Sequence, residues 1–271
     1  MDRINSVNLK RSKSHLKGQL LRWGVIVLLL AMWEIGVRLN VIDPFYVSTP
    51  SRIIRHGRAL LAEGILIRHL LVTLAEAAVG LILGFVLGMI TGFLFAASPR
   101  VDAFLQPFLT IINALPRIAF APLIILWFGL GFTSKVVIVV SLVYFIVFFN
   151  TYRGFKEVNP ILLKNAQVLG ATRRQILQHI YLPATMSWTF ASIRTSVGFA
   201  IIAAILGEYI GASAGIGYLI DNAQSQFDAT GVMTGLATLT LVVAALDPVL
   251  RRVERYFLRW HINAQPPGGN A

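Results

Sequence analysis

Six ionisable side chains lie inside long apolar runs and are the first candidates for chemistry: Glu34, Glu76, Arg117, Arg194, Glu208 and Asp247. A charged group in an apolar environment is costly and is therefore a functional candidate by default. Glu34, Glu208 and Asp247 lie near the ends of their runs, where hydrogen bonding at a polar boundary is the simpler explanation. Arg117 lies deeper. Its guanidinium is suited either to a carboxylate or sulfonate ligand or to neutralising an acidic neighbour such as Glu208.

No other group of residues predicts catalysis or metal binding. The sequence has no cysteine, and its five histidines are scattered: His15, His56, His69, His179 and His261. No stretch fits G-x-x-x-x-G-K-[ST] and no Gly-Lys pair occurs, so any ATP hydrolysis must come from another chain. We therefore predict no enzyme activity, no catalytic residue, no metal site and no cofactor in this chain.

The composition indicates a membrane protein. Hydrophobic residues make up 56% of the 271 residues, charged residues only 13%, and the mean hydropathy is +0.71. A soluble domain has roughly a quarter of its residues charged, so an unusually apolar soluble helical protein is the weaker alternative. The net charge of +12 is distributed between and beyond the apolar runs, which favours membrane orientation over nucleic-acid binding.

The apolar runs predict six transmembrane helices near 22–38, 70–97, 102–130, 135–152, 186–210 and 231–250. Each is close to or above the roughly 20 residues that cross a bilayer, and the first is expected to remain uncleaved. Lys and Arg number sixteen against six in favour of cytoplasmic termini, with Lys135 counted outside. Arg52, Arg55 and Arg58 are the exceptions, on a short helix expected at the outer interface. The predicted domains are a basic tail 1–21, a transmembrane domain 22–260 and a tail 261–271.

Two runs have features that bear on packing and on a pathway. The second contains glycines every four residues, at positions 80, 84, 88 and 92, which make a smooth helix face for either internal packing or a dimer seam. The third contains Pro107, Pro116 and Pro122 and should be broken near Leu115–Pro116. Broken helices line cavities in membrane proteins, so the candidate substrate path comprises Pro116, Arg117, Phe120 and Glu208.

The segment 155–184 is the longest hydrophilic stretch between spans. Pro160 suits the first turn of a helix, apolar residues recur at helical spacing over 161–169, and Gly170 should end that helix. A second short helix, 171–181, should precede Leu182-Pro183. An amphipathic helix in a cytoplasmic loop either lies on the membrane or docks into another protein.

This segment resembles the signature of binding-protein-dependent ABC importer permeases: Glu-Ala-Ala, three residues, Gly, nine residues, Ile, one residue, Leu-Pro. The matching positions are Lys164-Asn165-Ala166, Gly170, Ile180 and Leu182-Pro183. The stretches 122–129 and 207–220 resemble the branch that imports nitrate, taurine and alkanesulfonates. The resemblance covers roughly 45–260 and departs at Lys164 and Asn165, where the family has Glu and Ala. A lysine reverses the charge there, which removes any ion pair carried over from the family.

The resemblance implies a type I ABC importer permease fold in the bacterial inner membrane. Its implied partners are a second copy of the chain, two ATPase subunits that bind ATP and Mg, a periplasmic or lipid-anchored binding protein and the bilayer, but no nucleic acid. It assigns ATPase coupling to Leu162, Lys164, Asn165, Ala166, Leu169, Gly170, Ala171, Leu182 and Pro183. The expected cargo is a small, anionic solute. The alternative function is an ATP-independent secondary transporter or channel, for which paired mid-membrane acids and inverted repeats are not evident.

Overall fold

The structure, a computed structural model, describes residues 24–257, so the predicted tails 1–21 and 261–271 lie outside the described residues. The described part is helical and contains no strand. Its α-helices, in chain order, are α1 (24–38), α2 (Pro50–Ala62), α3 (Ile65–Ala97), α4 (Pro99–Ala114), α5 (Ala121–Phe128), α6 (Phe132–Lys156), α7 (Pro160–Val168), α8 (Arg173–Ile176), α9 (Leu182–Ala191), α10 (Ile193–Ile210), α11 (Ile216–Ser225) and α12 (Ala229–Phe257).

Four of these helices are long and apolar enough to cross a membrane: α3, α6, α10 and the 229–252 part of α12. A bent pair, α4 with residues 117–128, gives a fifth candidate. These correspond to predicted spans two to six. The first predicted span, 22–38, begins outside the described residues, where α1 covers 24–38. Six spans and the orientation of the termini therefore stay predictions.

The third predicted span is broken where the prolines indicated. Helix α4 ends at Ala114, Leu115 is extended at ψ 129°, and a short 3-10 turn over Arg117–Phe120 leads into α5. The two halves meet at 78°. The break follows from Pro116, which cannot donate a backbone hydrogen bond and forces the preceding residue out of the helical region. The prediction of a break at Leu115–Pro116 is confirmed.

The fifth predicted span, 186–210, differs from the prediction because it is divided. Helix α9 ends at Ala191 and α10 begins at Ile193. The Ser192 hydroxyl donates to the carbonyl of Thr189 at 2.6 Å. Such a bond offers the backbone an alternative to the regular helical ladder. An apolar window does not reveal this interruption, because serine scarcely lowers its hydropathy.

The centre of the fold is the contact between α3 and α6. The four glycines of the stripe, Gly80, Gly84, Gly88 and Gly92, are buried and face α6. A Cβ atom at position 88 would lie 2.5 Å from the carbonyl oxygen of Tyr144, so the backbones touch. The hydrophobic core lies behind this seam and includes Val139, Val143 and Val147 of α6 with Ala203 and Ala204 of α10, all fully buried. Of the two alternatives for the stripe, internal packing is the one observed.

Candidate functional site

The exposed loop 157–182 begins with α7, and its local sequence accounts for the shape of that helix. The Asn159 side chain accepts a hydrogen bond from Ile161 N at 2.8 Å, and Pro160 occupies the first turn. At the other end Gly170 adopts φ +79°, with Gly170 N donating to Gln167 O and Ala171 N to Ala166 O, both at 3.0 Å. This pair of bonds is a Schellman cap, which favours glycine because other residues are strained at positive φ. The expected helix end at Gly170 is confirmed.

The second half of the loop is more continuous than expected. Thr172 and Gln175 form a reciprocal capping box that starts α8 at Arg173. The chain then passes through a π-helical turn, Leu177–Tyr181, directly into α9. The predicted second helix, 171–181, is confirmed from Arg173 to Tyr181, and it leads into Leu182-Pro183 as expected, with a π-helical turn at its end. The wider turn precedes Pro183, whose ring would otherwise clash with a carbonyl of the preceding turn.

Apolar side chains of this loop are turned outward. The exposed fractions are 66% for Ile161, 50% for Leu162, 88% for Val168 and 86% for Leu169. Val168 was not among the predicted coupling residues, because helical spacing places it off the predicted apolar face. In the structure its side chain is nevertheless exposed at the end of α7. Isolated exposed apolar residues are common, whereas four on one short helix form an unpartnered surface.

The two short helices enclose a concave space of about 460 Å³. Its lining brings together four of the predicted coupling residues with side chains from the second half of the loop: Ala166, Leu169, Gly170, Ala171, Gln175, Ile176, His179 and Ile180. Leu162 is exposed elsewhere on α7, while Leu182 and Pro183 lie at the start of α9. The geometry of the loop is therefore an open apolar groove with a flanking apolar helix.

The charged residues around this groove have one sign. Lys164, Arg173 and Arg174 are exposed, and the sequence contains no Asp or Glu between Glu157 and Glu208. None of the ion pairs formed by the described residues involves these three side chains. A partner that covers the groove must therefore meet a cationic surface.

The candidate path residues do not form one cluster. The Arg117 Nη2 atom donates to Ile112 O at 2.8 Å, and the guanidinium lies 4.2 Å above the ring of Phe145. Its Nε is buried and has no partner among the described residues. Pro116 and Phe120 beside it are exposed. The arginine thus has donor capacity left for an anion at the bend.

Glu208 lies elsewhere. It is only 1% exposed, and its Oε2 accepts a hydrogen bond from Gly217 N at 2.7 Å. The alternative in which Arg117 neutralises Glu208 is not observed, because none of the ion pairs among the described residues joins the two. Lys135 was counted as a residue of an exterior loop, but it is fully buried in the first turn of α6. A single lysine between two apolar runs is typical of a loop residue, so nothing in the sequence predicted that Lys135 is buried.

The remaining ionisable candidates make local contacts. Glu34 pairs with Arg38 at 2.7 Å and accepts from Ser51. Asp247 pairs with Arg194 at 2.7 Å and contacts Arg251. Hydrogen bonding at a polar boundary is a sufficient explanation for Glu34 and Asp247, because both are partly exposed and paired with an arginine.

Several apolar helices, one candidate span broken at its middle, and an exposed loop with an unpartnered apolar surface are typical of a helical membrane-transport subunit. Residues 84–260 match the family model of the binding-protein-dependent transport system inner membrane component, and the chain belongs to that family. The chain is therefore the permease component of an ABC importer for a small solute, and it is a transport component rather than an enzyme. Family membership implies an ATPase and a substrate-binding protein as partners.

Similar permease proteins align with nearly the whole chain. The chain is 32% identical to the formylaminopyrimidine transport permease protein ThiX of Halalkalibacterium halodurans, over 86% of this chain and 93% of that protein. It is also 32% identical to the putative aliphatic sulfonates transport permease protein SsuC of Bacillus subtilis, over 86% and 84%. Identity to the taurine transport system permease protein TauC of Escherichia coli is 26%, over 89% and 90%. These matches confirm the branch that the motifs indicated.

Solved structures agree on the fold. An inward-facing MetNI methionine ABC transporter superposes with a TM-score of 0.59 at 20% identity, covering 71% of this chain and 96% of that one. An amino acid ABC transporter gives a TM-score of 0.61 at 17% identity, covering 73% and 97%. The expected type I importer permease architecture is thus supported at the level of the fold.

Proposed function

We propose that two copies of this chain form the translocation pathway of an inner-membrane importer and are driven by two ATPase subunits that dock on the loop 155–184. The proposed topology has six spans and cytoplasmic termini, which puts the loop on the ATPase side. A periplasmic or lipid-anchored binding protein would deliver the solute from the opposite side. ATP and Mg would be bound by the ATPase.

The observation that carries the coupling role is the outward-facing apolar surface of α7. Val168 and Leu169 are almost fully exposed, and the Schellman cap at Gly170 fixes them beside the groove of about 460 Å³. Burying such a side chain at an interface contributes roughly 1.5–3 kcal/mol each. Displacement of the ATPase would reach α9 through the second half of the loop, because the chain continues from α8 through the π-helical turn into α9 without a break.

Co-purification tests this role directly. The chain is co-expressed with a candidate partner ATPase of an ABC importer, and complex formation is compared for wild type, Leu169→Asp and Phe227→Asp. Phe227 is the matched control, since it is 76% exposed but lies in the α11–α12 connection. Leu169→Asp is expected to lose the ATPase, whereas Phe227→Asp retains it. Equal retention by both variants would remove the loop from the docking site.

We further propose that the docking cleft of the ATPase presents carboxylates to Lys164, Arg173 and Arg174. The support is the cationic loop surface and the absence of acidic residues from 158 to 207. Such complementarity affects association rate and specificity and weakens with salt. Lys164→Glu should therefore weaken co-purification, and a Lys substitution in the cleft should restore it. No loss with Lys164→Glu, alongside loss with Leu169→Asp, would leave docking intact and refute only the charge pairing.

The solute proposed for this importer is a small anion such as a sulfonate, taurine, nitrate, or an aromatic or carboxylic acid. Relatives named for aliphatic sulfonates and taurine support this class, and so does the unused donor capacity of Arg117 at the bend of the broken span. Arg117→Gln should lower uptake or change solute preference, whereas Arg194→Gln, a second arginine in an apolar run, should not. Unchanged uptake and preference in Arg117→Gln would exclude this contact.

A further inference from the structure

Three ionisable side chains that the proposed function does not use are buried together where α3, α6 and α10 meet. The exposed fractions are 3% for Glu76, 0% for Lys135 and 1% for Glu208. None of the ion pairs within 4.0 Å among the described residues joins the lysine to either carboxyl group. Isolated buried charges are strongly unfavourable. The charges of these three side chains must therefore be balanced within the cluster.

Lys135 connects two chain turns. Its Nζ atom donates to Leu130 O and to Gly211 O, both at 2.5 Å. Leu130 lies in the turn between α5 and α6, at the end of the broken span, and Gly211 directly follows α10. The ammonium therefore joins the end of the broken span to the turn 211–217.

The same turn is held by three successive backbone N–H groups. Gly215 N donates to His69 Nδ1 at 3.0 Å, Ile216 N to Thr73 Oγ1 at 2.9 Å, and Gly217 N to Glu208 Oε2 at 2.7 Å. Gly215 has φ +113°, and a Cβ atom there would overlap the Glu208 carboxyl group. Side chains of α3 and α10 thus fix the turn that starts α11, and the close approach requires glycine.

The two carboxyl groups converge on this turn: Glu208 accepts from Gly217 N, and Glu76 lies one helical turn after Thr73, which accepts from Ile216 N. One oxygen of each, Glu76 Oε2 and Glu208 Oε1, is buried and has no hydrogen-bond partner among the described residues. Two buried carboxylates at one turn repel each other unless a proton neutralises one of them. The other titratable group facing the turn is His69, which accepts through Nδ1 and is therefore the neutral Nε2–H tautomer in this contact.

We propose that Glu76, Lys135 and Glu208 form a charge-balanced positioning site for the turn 211–217, in which one proton is shared by the two carboxyl groups and the Lys135 ammonium offsets the remaining negative charge. The site goes beyond the proposed transport function, since it concerns how the turn that leads into α11 is held next to the end of the broken span. A neutral cluster accounts for the burial of all three groups, and its hydrogen bonds account for the shape of the turn.

Charge balance within the cluster predicts different stabilities for the single and the double Glu→Gln variants. Glu76→Gln or Glu208→Gln alone leaves one carboxylate and one ammonium in the cluster, so each should keep the melting temperature close to wild type. The double variant leaves a buried, unpaired ammonium and should lose at least about 6 °C in melting temperature, together with uptake. Glu63→Gln, at an exposed position, controls for the substitution itself. A double variant no worse than the sum of its singles would overturn the proposal.

Infrared spectroscopy of the purified protein tests the shared proton without relying on a variant that folds poorly. Wild type should show the C=O stretch of a protonated carboxyl group that shifts in D₂O. The band should disappear in Glu76→Gln and in Glu208→Gln but persist in Glu63→Gln. Absence of the band in wild type, or its persistence in both single variants, would refute the proton assignment.

Discussion

Replacement of Gly88 by alanine should destabilise the contact between α3 and α6. The added Cβ atom would lie 2.5 Å from Tyr144 O and 3.0 Å from Val147 Cβ, where ordinary contact begins near 3.4 Å. The first obstacle is backbone and does not move with a rotamer. Gly84 and Gly92 are packed against the same helix on either side, so α3 cannot shift locally. Overpacking of this kind costs about 1–3 kcal/mol, and the better helix propensity of alanine returns up to about 1 kcal/mol.

The net loss therefore lies between about 0 and 3 kcal/mol, and its middle range of about 1–2 kcal/mol is equivalent to a decrease of roughly 2–8 °C in melting temperature. The assay is thermal unfolding of the detergent-purified protein, followed by the loss of its monodisperse elution peak. Gly198→Ala is the matched control, because a Cβ atom there meets nothing within 4 Å, and it should be neutral or slightly stabilising. The packing argument is refuted if Gly88→Ala melts at or above wild type.

Three further outcomes are expected. Gly170→Ala should lower the free energy of local unfolding of the loop by about 1–2 kcal/mol, because Gly170 has a positive φ. The expected readout is faster proteolysis within 157–182. Gly131→Ala is the control and should have no such effect, since Gly131 has φ −78° and open space around it. Thr172→Ala removes the capping box and should cost about 1 kcal/mol, which would raise the proteolysis rate of the same loop. Asp247→Asn breaks its pair with Arg194 but should leave the melting temperature nearly unchanged, since the arginine is half-exposed; a large decrease would contradict the surface character of that pair.

Features that depend on one residue type were predictable from the sequence. Pro116 coincides with the break in the third predicted span, and Gly170, followed by a new polar segment, indicates a helix end. The spacing of Gly80 to Gly92 predicted a close helix contact, although it could not decide between a partner helix in the same chain and one in a second copy. Only the position of α6 resolved that choice.

Features that depend on distant contacts were not predictable. Lys135 and Glu208 are 73 residues apart in the sequence, and their burial results from α6 and α10 meeting at one turn. The Ser192 interruption needs a side-chain bond that hydropathy does not detect. The proposed role of Arg117 illustrates the same limit: proline placed it at a bend, but its contacts with Ile112 and Phe145 required the fold.

ATP dependence of uptake tests the central claim most directly. The chain is reconstituted in proteoliposomes with its ATPase and binding protein, and accumulation of a panel of labelled sulfonates and carboxylates is measured with ATP, without ATP, and with an imposed ion gradient alone. Accumulation that requires ATP and is lost in Leu169→Asp is the predicted result. Accumulation driven by the ion gradient without ATP, unchanged in Leu169→Asp, would contradict the account and favour an ATP-independent carrier.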